Sequence, residues 1–262
     1  MSTLSISTIQ SNLLWEEKSA NLRMLEKKIA GITEKTEIVI LPEMFSTGFS
    51  MQAELLAETM DGVTMGWMKR VSRENSVILT GSIIIQEEEK YFNRLIWMLP
   101  NGQYGYYDKR HLFAFGEEDQ HYSPGSKRLI ASVKGWKINL QICYDLRFPV
   151  WARQEPSGNE PEYDVLIYVA NWPERRSHAW KTLLCARAIE NQCYVVGVNR
   201  VGNDGNNIYH SGNSLVIDPL GQVLYHMSDE EDVFTITLQK GKLEEARTKF
   251  PFWRDADDFK IQ

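Results

Sequence analysis

Cysteine is scarce in this 262-residue chain: the only three are Cys143, Cys185 and Cys193. Their spacing fits neither a disulfide framework nor a paired Cys-x-x-Cys metal site, so we predict that all three stay reduced. The chain also lacks a run of 18 apolar residues, which a membrane-spanning helix requires, and its first residues lack the basic segment of a secretory signal. These absences predict a cytoplasmic protein that does not enter a membrane.

The chain also has no excess of positively charged residues. Lys and Arg number 29 against 35 Asp and Glu, which gives a formal net charge of −6 with both signs interspersed along the chain. Such a surface repels a phosphate backbone and excludes nucleic acid as the expected partner. No Pro/Gly/Ser-rich linker, low-complexity tract or short repeat divides the sequence. We therefore predict a single domain over 1–262, with 249–262 as a C-terminal tail.

The chain does contain a regular alternation of strand-like and helix-like segments. Strands are predicted near Leu4 and Ile6 and at 37–41, 77–85, 92–99, 104–108, 137–142, 165–169, 194–198 and 233–238. Helices are predicted around Leu22 to Ile29, at 63–75, from Pro149 and at 177–191, and turns at 87–90, 100–102 and 218–221. This interleaving favours one α/β domain with large mixed sheets.

Cys143 lies where the strand at 137–142 is predicted to end and a turn leads toward the helix at Pro149. A nucleophile on such a turn projects from the sheet, and N–H groups of the turn can receive an oxyanion. A buried cysteine that only fills space in the core is the alternative. Both interpretations fit the local sequence.

A cysteine nucleophile needs a base or a positive charge nearby, because a free thiol titrates at about pH 8.5. None of the five histidines has a distinctive local sequence, so a Cys–His pair stays an open alternative. Glu43 and Lys109 have more informative contexts, since each follows a predicted strand and sites often form in loops at strand ends. Charged residues in such loops are also common as solvated surface.

The residues around Glu43, Lys109 and Cys143 form three blocks, separated by 66 and 34 positions from one key residue to the next. The blocks are Leu41-Pro42-Glu43-Met44-Phe45, Tyr107-Asp108-Lys109-Arg110-His111-Leu112-Phe113 and Gln141-Ile142-Cys143-Tyr144-Asp145-Leu146-Arg147-Phe148-Pro149. In this order they resemble the three blocks of the nitrilase superfamily of carbon–nitrogen hydrolases. Segments 169–173, 178–180, 186–191 and 212–214 extend the resemblance over nearly the whole chain.

The resemblance implies a fold and a set of roles. The fold is a four-layer αββα sandwich of two mixed sheets flanked by helices, which dimerises through helices on one face. Glu43 is implied as the general base, Cys143 as the nucleophile and Lys109 as the cation that stabilises the tetrahedral intermediate, with the Tyr144 backbone N–H as a second donor. The chemistry requires neither a metal nor an organic cofactor.

A second family glutamate follows the lysine block. Counting back from His121 and Tyr122 places it at Glu118, with the adjacent Glu117 as the alternative.

The substrate is implied by the segment 169–173, Val-Ala-Asn-Trp-Pro, together with Arg110, which resemble bacterial omega-amidase-like enzymes. That branch implies a keto-acid amide such as 2-oxoglutaramate or 2-oxosuccinamate; aliphatic amides, N-carbamoyl amino acids and nitriles are alternatives on the same triad. A distal carboxylate favours an arginine clamp, for which Arg175 and Arg176 are candidates, although such a pair is also common on a solvated loop.

Aromatic residues offer further candidates. Trp172 and Phe45 are predicted pocket walls, with a purely structural place in the core as the alternative. Arg147 is expected to pair with Asp145 because the two are close in sequence. The segment 250–254, Phe-Pro-Phe-Trp-Arg, is unusually aromatic for a tail, and we predict that it packs on the body of the protein or on a second subunit.

Overall fold

The computed structural model describes residues 2–154 and 160–257. The strands are β1 (Thr3–Gln10), β2 (Ile38–Ile40), β3 (Ile78–Glu87), β4 (Lys90–Met98), β5 (Tyr104–Asp108), β6 (Leu129–Val133), β7 (Trp136–Ile142), β8 (Val165–Ala170), β9 (Tyr194–Asn199), β10 (Val201–Asn203), β11 (Tyr209–Ile217), β12 (Val223–Ser228) and β13 (Asp232–Gln239). The helices are α1 (Lys18–Ala30), α2 (Ala53–Leu56), α3 (Val63–Asn75), α4 (Glu118–His121), α5 (Pro149–Ala152), α6 (Ser177–Asn191) and α7 (Lys240–Lys249).

The strands form two mixed sheets. The first has the order β13-β1-β2-β3-β4-β5, and the second has the order β10-β11-β9-β8-β7-β6 with β12 paired to β11. Strands β1, β2 and β3 run parallel in the first sheet, as do β7, β8 and β9 in the second. Parallel strands are normally covered on both faces, which explains why β2 and β8 are apolar and buried throughout.

The two sheets pack face to face with helices outside them. Along β2, Ile38 and Ile40 belong to the core between the sheets, whereas Val39 packs in a second core beneath α1 and α3. On the other side α6 packs closely against β9. The space between them is so small that a side chain at Gly197 would come within 2.5 Å of Leu184. The result is a four-layer αββα sandwich, which confirms the fold that the sequence resemblance implies.

The structure confirms several predicted elements and adds others. Helices α3 and α6 have the predicted bounds, the turn before β4 pairs Glu87 with Lys90, and the turn at 218–221 joins β11 to β12. Strands β6 and β10 escaped prediction because both lie at sheet edges and β10 has only three residues. None of the described helices is long and apolar enough to cross a membrane.

The aromatic tail packs on the body of the protein over the part that is described, up to residue 257. The Trp253 side chain is buried, its backbone N–H donates to Gln192 Oε1 at 3.1 Å, and Gln192 Nε2 donates to the Phe250 carbonyl at 2.6 Å. Gln192 directly follows α6, so the tail is held at the end of that helix. Residues 258–262 lie outside the described part.

Candidate active site

Three candidate residues stand just beyond strand ends, where the backbone leaves the sheet. Glu43 follows β2 after Leu41 and Pro42, Lys109 comes directly after β5, and Cys143 comes directly after β7. The first two belong to one sheet and the third to the other, so their meeting depends on how the sheets pack. Lys109 and Cys143 line one pocket, and Glu43 lies behind them.

Lys109 is bound by two buried carboxylates. Its Nζ lies 2.9 Å from Glu43 Oε1 and 3.0 and 2.9 Å from the two carboxylate oxygens of Glu118. All three side chains are at most 1% exposed. Glu117 is exposed instead, with a left-handed φ of +61°, so the glutamate that contacts Lys109 is Glu118.

One asparagine side chain and two backbone amides fix the carboxylates. Asn93 Nδ2 donates to Glu43 Oε1 at 2.8 Å and to Glu118 Oε1 at 3.2 Å, so it bridges the two groups. The backbone N–H of Asn171 donates to Glu43 Oε2 at 2.8 Å, and that of Phe113 donates to Glu118 Oε2 at 2.7 Å. Sequence reasoning missed Asn93, for which the available signal was the polar pair Asn93-Arg94 within a predicted strand.

Electrostatics keep Lys109 charged. Burial alone would lower the pKa of Lys109, but the charges of Glu118 and Glu43 outweigh it and raise that pKa above its usual value. Burial raises the pKa of Glu118, an effect that the Glu43 charge adds to and the Lys109 charge opposes. The site therefore holds one ammonium between two carboxylates, and the Phe49 ring covers the ammonium with its centroid 5.1 Å from Nζ.

Cys143 has a strained backbone and a protonated side chain. Its φ of +44° lies in the left-handed region, which residues other than glycine rarely adopt, and its side chain is 9% exposed at the pocket. Burial and the charge of Glu43 raise the pKa of the thiol well above its usual value, against the opposing charge of Lys109. The resting group is thus a thiol that needs a base, and Glu43 is the carboxylate whose charge acts on it most strongly.

The two histidines near the pocket have other roles. His111 Nδ1 lies 2.8 Å from Asp145 Oδ1, and His210 Nδ1 lies 2.9 Å from the Ile208 carbonyl oxygen. Burial, aided by the positive charge of Arg200, lowers the pKa of His210 to about 4, so this ring is neutral at neutral pH. Within residues 2–154 and 160–257, no hydrogen bond joins Cys143 to a histidine.

The pocket is small, with a volume of about 190 Å³. Its walls include four of the predicted substrate-binding residues: Tyr144, Trp172, Arg175 and Arg176. Sequence reasoning missed other lining residues: Phe49, Phe113, Phe115, Asp204, Asn206 and Ile208. The ring at 113 ends one of the three sequence blocks, and those at 49 and 115 lie shortly after a block, but nothing local to 204–208 marks that loop as part of a site.

Phe45 is not a wall of this pocket, contrary to prediction. Its side chain is fully buried in the core beneath the helices, 5.8 Å from the Trp67 ring. Gly81 in β3 leaves the space for it, because a side chain there would come within 2.8 Å of the Phe45 ring. Phe45 therefore packs inward.

The expected pairing of Arg147 with Asp145 is wrong. Asp145 accepts hydrogen bonds from Tyr107, His111 and the Ile142 backbone N–H. Arg147 instead lines the pocket, with its guanidinium carbon 4.9 Å from the centre of the Trp172 ring. This places a cation that the sequence did not reveal in the same pocket as the candidate nucleophile.

The two adjacent glutamates allow a matched test. In Glu118→Gln the new NH2 group faces the Lys109 ammonium whichever carboxylate oxygen it replaces, together with either Asn93 Nδ2 or the Phe113 N–H, and all of these groups are donors. We expect kcat to fall by about 100-fold, because the cation at the reacting centre loses its orientation. Glu117→Gln alters only an exposed side chain and should retain wild-type kcat. Equal losses in the two variants would contradict the assignment.

The sequence matches the family described as Carbon-nitrogen hydrolase over residues 5–248. It is 42% identical to omega-amidase YafV of Escherichia coli strain K12 over the full length of both chains. It is 32% identical to the 2-oxoglutaramate amidase of Bacillus subtilis strain 168, with 96% of each chain covered. The crystal structure of XC1258 from Xanthomonas campestris, described as a CN-hydrolase superfamily protein, superposes with a TM-score of 0.97 at 43% identity and full coverage of both chains.

These matches span the three blocks, both sheets and the pocket, and they agree with the resemblance seen in the sequence. The chain belongs to the carbon–nitrogen hydrolase family, whose members hydrolyse carbon–nitrogen bonds other than peptide bonds.

Proposed function

We propose that the protein is a cysteine-dependent amidase of the omega-amidase type. It hydrolyses the terminal amide of a small keto acid, 2-oxoglutaramate or 2-oxosuccinamate, to the dicarboxylate and ammonia. The names of the two curated relatives support this substrate class. The observation that carries it is the pocket itself, whose lining includes Arg147 and Arg176 together with Cys143 and Lys109.

The first half of the reaction is acyl transfer to sulfur. Glu43 takes the proton of the Cys143 thiol, and the sulfur attacks the amide carbonyl carbon. The carbonyl oxygen becomes an oxyanion, stabilised by the Lys109 ammonium and the Tyr144 backbone N–H. The carbon–nitrogen bond then breaks, Glu43 returns its proton to the leaving nitrogen, and ammonia departs from a thioester on Cys143.

The second half uses the same groups in reverse. Glu43, again a carboxylate, removes a proton from water, and the oxygen of that water attacks the thioester carbonyl. A second oxyanion forms at the same donors and collapses by breaking the carbon–sulfur bond. Glu43 gives the proton back to sulfur, which restores the thiol. The product leaves as the carboxylic acid and loses its remaining proton to solvent or to the released ammonia, which gives the carboxylate. In this scheme Lys109 keeps its proton throughout, in agreement with its raised pKa.

A distal carboxylate on the substrate fits the two guanidinium groups. Arg176 lies with its guanidinium carbon 5.1 Å from the Phe113 ring centre, and Arg147 lies similarly over Trp172. Trp172 also donates from Nε1 to the Arg176 carbonyl oxygen at 2.8 Å, which links the two arginines through one side chain. Neither guanidinium forms an ion pair within the described residues, so both retain donors for an anion. Arg175 is more exposed and lies at the rim.

The test is ammonia release from 2-oxoglutaramate beside a panel of neutral aliphatic amides, N-carbamoyl amino acids and nitriles. In Arg176→Met and Arg147→Met we expect KM for the keto-acid amide to rise about 10- to 100-fold, the effect of losing one charged hydrogen bond. KM for a neutral amide should change little. Arg175→Met shows whether the rim arginine contributes, and Arg73→Met on α3 is a control on an exposed face away from the pocket.

If no ammonia is released from 2-oxoglutaramate but another compound on the panel is turned over, the proposed substrate is wrong and the proposed roles of Glu43, Lys109 and Cys143 are retained. Turnover of no panel compound would overturn the amidase proposal as well.

We also propose that the protein acts in the cytoplasm as a homodimer. Its three cysteines are free thiols, as a reducing compartment favours. Apolar side chains are exposed around the C-terminal end of α6, among them Ile189, Leu220 and Phe252 at 55%, 59% and 63%. Burial of these groups against a second copy would support a dimer.

A further inference from the structure

Asp145 lies two residues after Cys143, and its carboxylate is fully buried. Its Oδ2 accepts hydrogen bonds from the Tyr107 hydroxyl at 2.6 Å and from the Ile142 backbone N–H at 3.0 Å. Its Oδ1 accepts from the His111 backbone N–H at 3.0 Å and lies 2.8 Å from His111 Nδ1. Each oxygen thus has two partners, which fixes the orientation of the carboxylate.

Two of these partners stand on either side of Lys109 in the sequence. Tyr107 comes two residues before Lys109 on β5, and His111 comes two residues after it. The Tyr107 hydroxyl also accepts from the Arg110 backbone N–H at 3.1 Å and from Trp151 Nε1 at 2.9 Å. The segment that carries the ammonium is therefore bound to one carboxylate before and after the lysine.

The same carboxylate reaches the nucleophile through the backbone. The N–H of Ile142 belongs to the residue directly before Cys143, whose left-handed φ of +44° is unfavourable for a side chain with a Cβ. Such a conformation persists only where surrounding contacts hold it. The hydrogen bond from Ile142 to Asp145 is one contact that holds this turn.

A stacked ring pair joins the two segments a second time. The His111 ring lies parallel to the Phe148 ring, with centroids 3.8 Å apart and an interplanar angle of 6°. Phe148 directly follows the turn at Cys143–Arg147, so His111 contacts that turn through both its ring and its hydrogen bonds. The segment of Lys109 and the turn of Cys143 are thus connected by polar and aromatic contacts centred on Asp145.

We propose that Asp145 is a positioning residue for the hydrolysis. By binding Tyr107, His111 and the Ile142 N–H together, it sets the separation between the Lys109 ammonium and the Cys143 sulfur. It also maintains the left-handed turn that points the sulfur into the pocket. Asp145 itself does not line the pocket, so it acts through the two groups that do. This inference rests on the proposed roles of Cys143 and Lys109.

The test compares three variants. Tyr107→Phe removes only the hydroxyl that connects β5 to Asp145. Asp145→Asn replaces one carboxylate oxygen, which accepts hydrogen bonds, with an NH2 group that would face other hydrogen-bond donors. Tyr163→Phe is the matched control, because Tyr163 is equally buried and its hydroxyl donates to the Ala152 carbonyl oxygen away from the pocket. Two quantities are measured: kcat and KM for the amide turned over, and the rate at which iodoacetamide alkylates Cys143, followed by peptide mass.

We expect kcat to fall about tenfold in Tyr107→Phe and about 100-fold in Asp145→Asn, with KM within twofold of wild type, as for misplacement of reacting groups. Alkylation of Cys143 should slow in the same order, because the displaced ammonium no longer stabilises the thiolate. Tyr163→Phe should retain both rates even if its melting temperature falls.

Wild-type kcat and alkylation in a folded Tyr107→Phe would overturn the proposal, as would losses in Tyr163→Phe equal to those in Tyr107→Phe. If Asp145→Asn does not fold, the kcat and alkylation rate of Tyr107→Phe alone decide whether the proposal holds. Because alkylation needs no substrate, slowed alkylation without ammonia release from 2-oxoglutaramate would reject the proposed substrate and retain the positioning role.

Discussion

Cys143→Ala is expected to abolish ammonia release, lowering turnover by a factor on the order of 10⁴ or more, as loss of a covalent nucleophile does. The protein should still fold. The thiol has a raised pKa and is neutral at pH 7, so its removal takes no charge from the buried group of Glu43, Lys109 and Glu118. We expect the free energy of unfolding to change by about 1 kcal/mol or less, since only one small side chain is truncated. Ammonia release and thermal unfolding of the same sample measure both quantities.

A second cysteine supplies the control for this variant. Cys185 lies on α6, with its sulfur 3.4 Å from the Gly221 carbonyl oxygen, and it does not line the pocket. Cys185→Ala should therefore keep the wild-type rate. Loss of activity in Cys185→Ala, or its retention in Cys143→Ala, would show that the nucleophile is misassigned.

The local sequence pattern predicted the positions of individual helices and strands better than it predicted which strands pair with each other. The helices α3 and α6 have the predicted bounds because periodicity and the flanking residues act within a single segment. The strand at 37–41 was visible as an apolar run, and the structure has a strand at Ile38–Ile40 with backbone hydrogen bonds from Glu37 and Leu41 at its two ends. Which strands pair, and that two sheets stack, depends on contacts between distant segments, so the sandwich was available only through the family resemblance.

In the candidate active site, too, contacts between residues far apart in the sequence were not predicted. Asn93 bridges Glu43 and Glu118 across 50 and 25 positions of sequence, and no local signal joins residues at such separations. Arg147 was misjudged because closeness in sequence was taken for closeness in space. Side chains two positions apart on a helical turn point in different directions, so Asp145 faces inward while Arg147 faces the pocket.

Lys109→Met is expected to remove activity and to destabilise the fold at neutral pH. Methionine approximates the length of lysine but has no charge, so Glu43 and Glu118 are left buried without their shared cation. Breaking a buried ion pair in this way costs about 3–5 kcal/mol. Turnover should fall by about 10³-fold or more, because the proposed mechanism assigns Lys109 as the charged donor to the oxyanion. Chemical denaturation and ammonia release at pH 7 measure the two effects.

The loss of stability in Lys109→Met should become larger as the pH rises from 5 to 7. Burial and the Glu43 charge raise the pKa of Glu118, and loss of the ammonium removes the charge that opposes them, so the pKa of Glu118 in the folded state rises further above that in the unfolded chain. The folded protein then binds more protons than the unfolded one, so its stability relative to wild type rises as the pH falls toward the ordinary carboxyl pKa. The deficit should therefore be larger at pH 7 than at pH 5.

A second substitution separates the charge effect from any change in packing. In Lys109→Met with Glu118→Gln, one carboxylate is gone and the remaining Glu43 keeps the hydrogen bonds from Asn93 and Asn171. Stability at pH 7 should therefore recover in part, while turnover stays as low as in the single variant, because the proposed mechanism uses the cation to stabilise the oxyanion as well. A single variant as stable as wild type at pH 7, or a double variant no more stable than the single one, would show that Lys109 does not neutralise the two buried carboxylates.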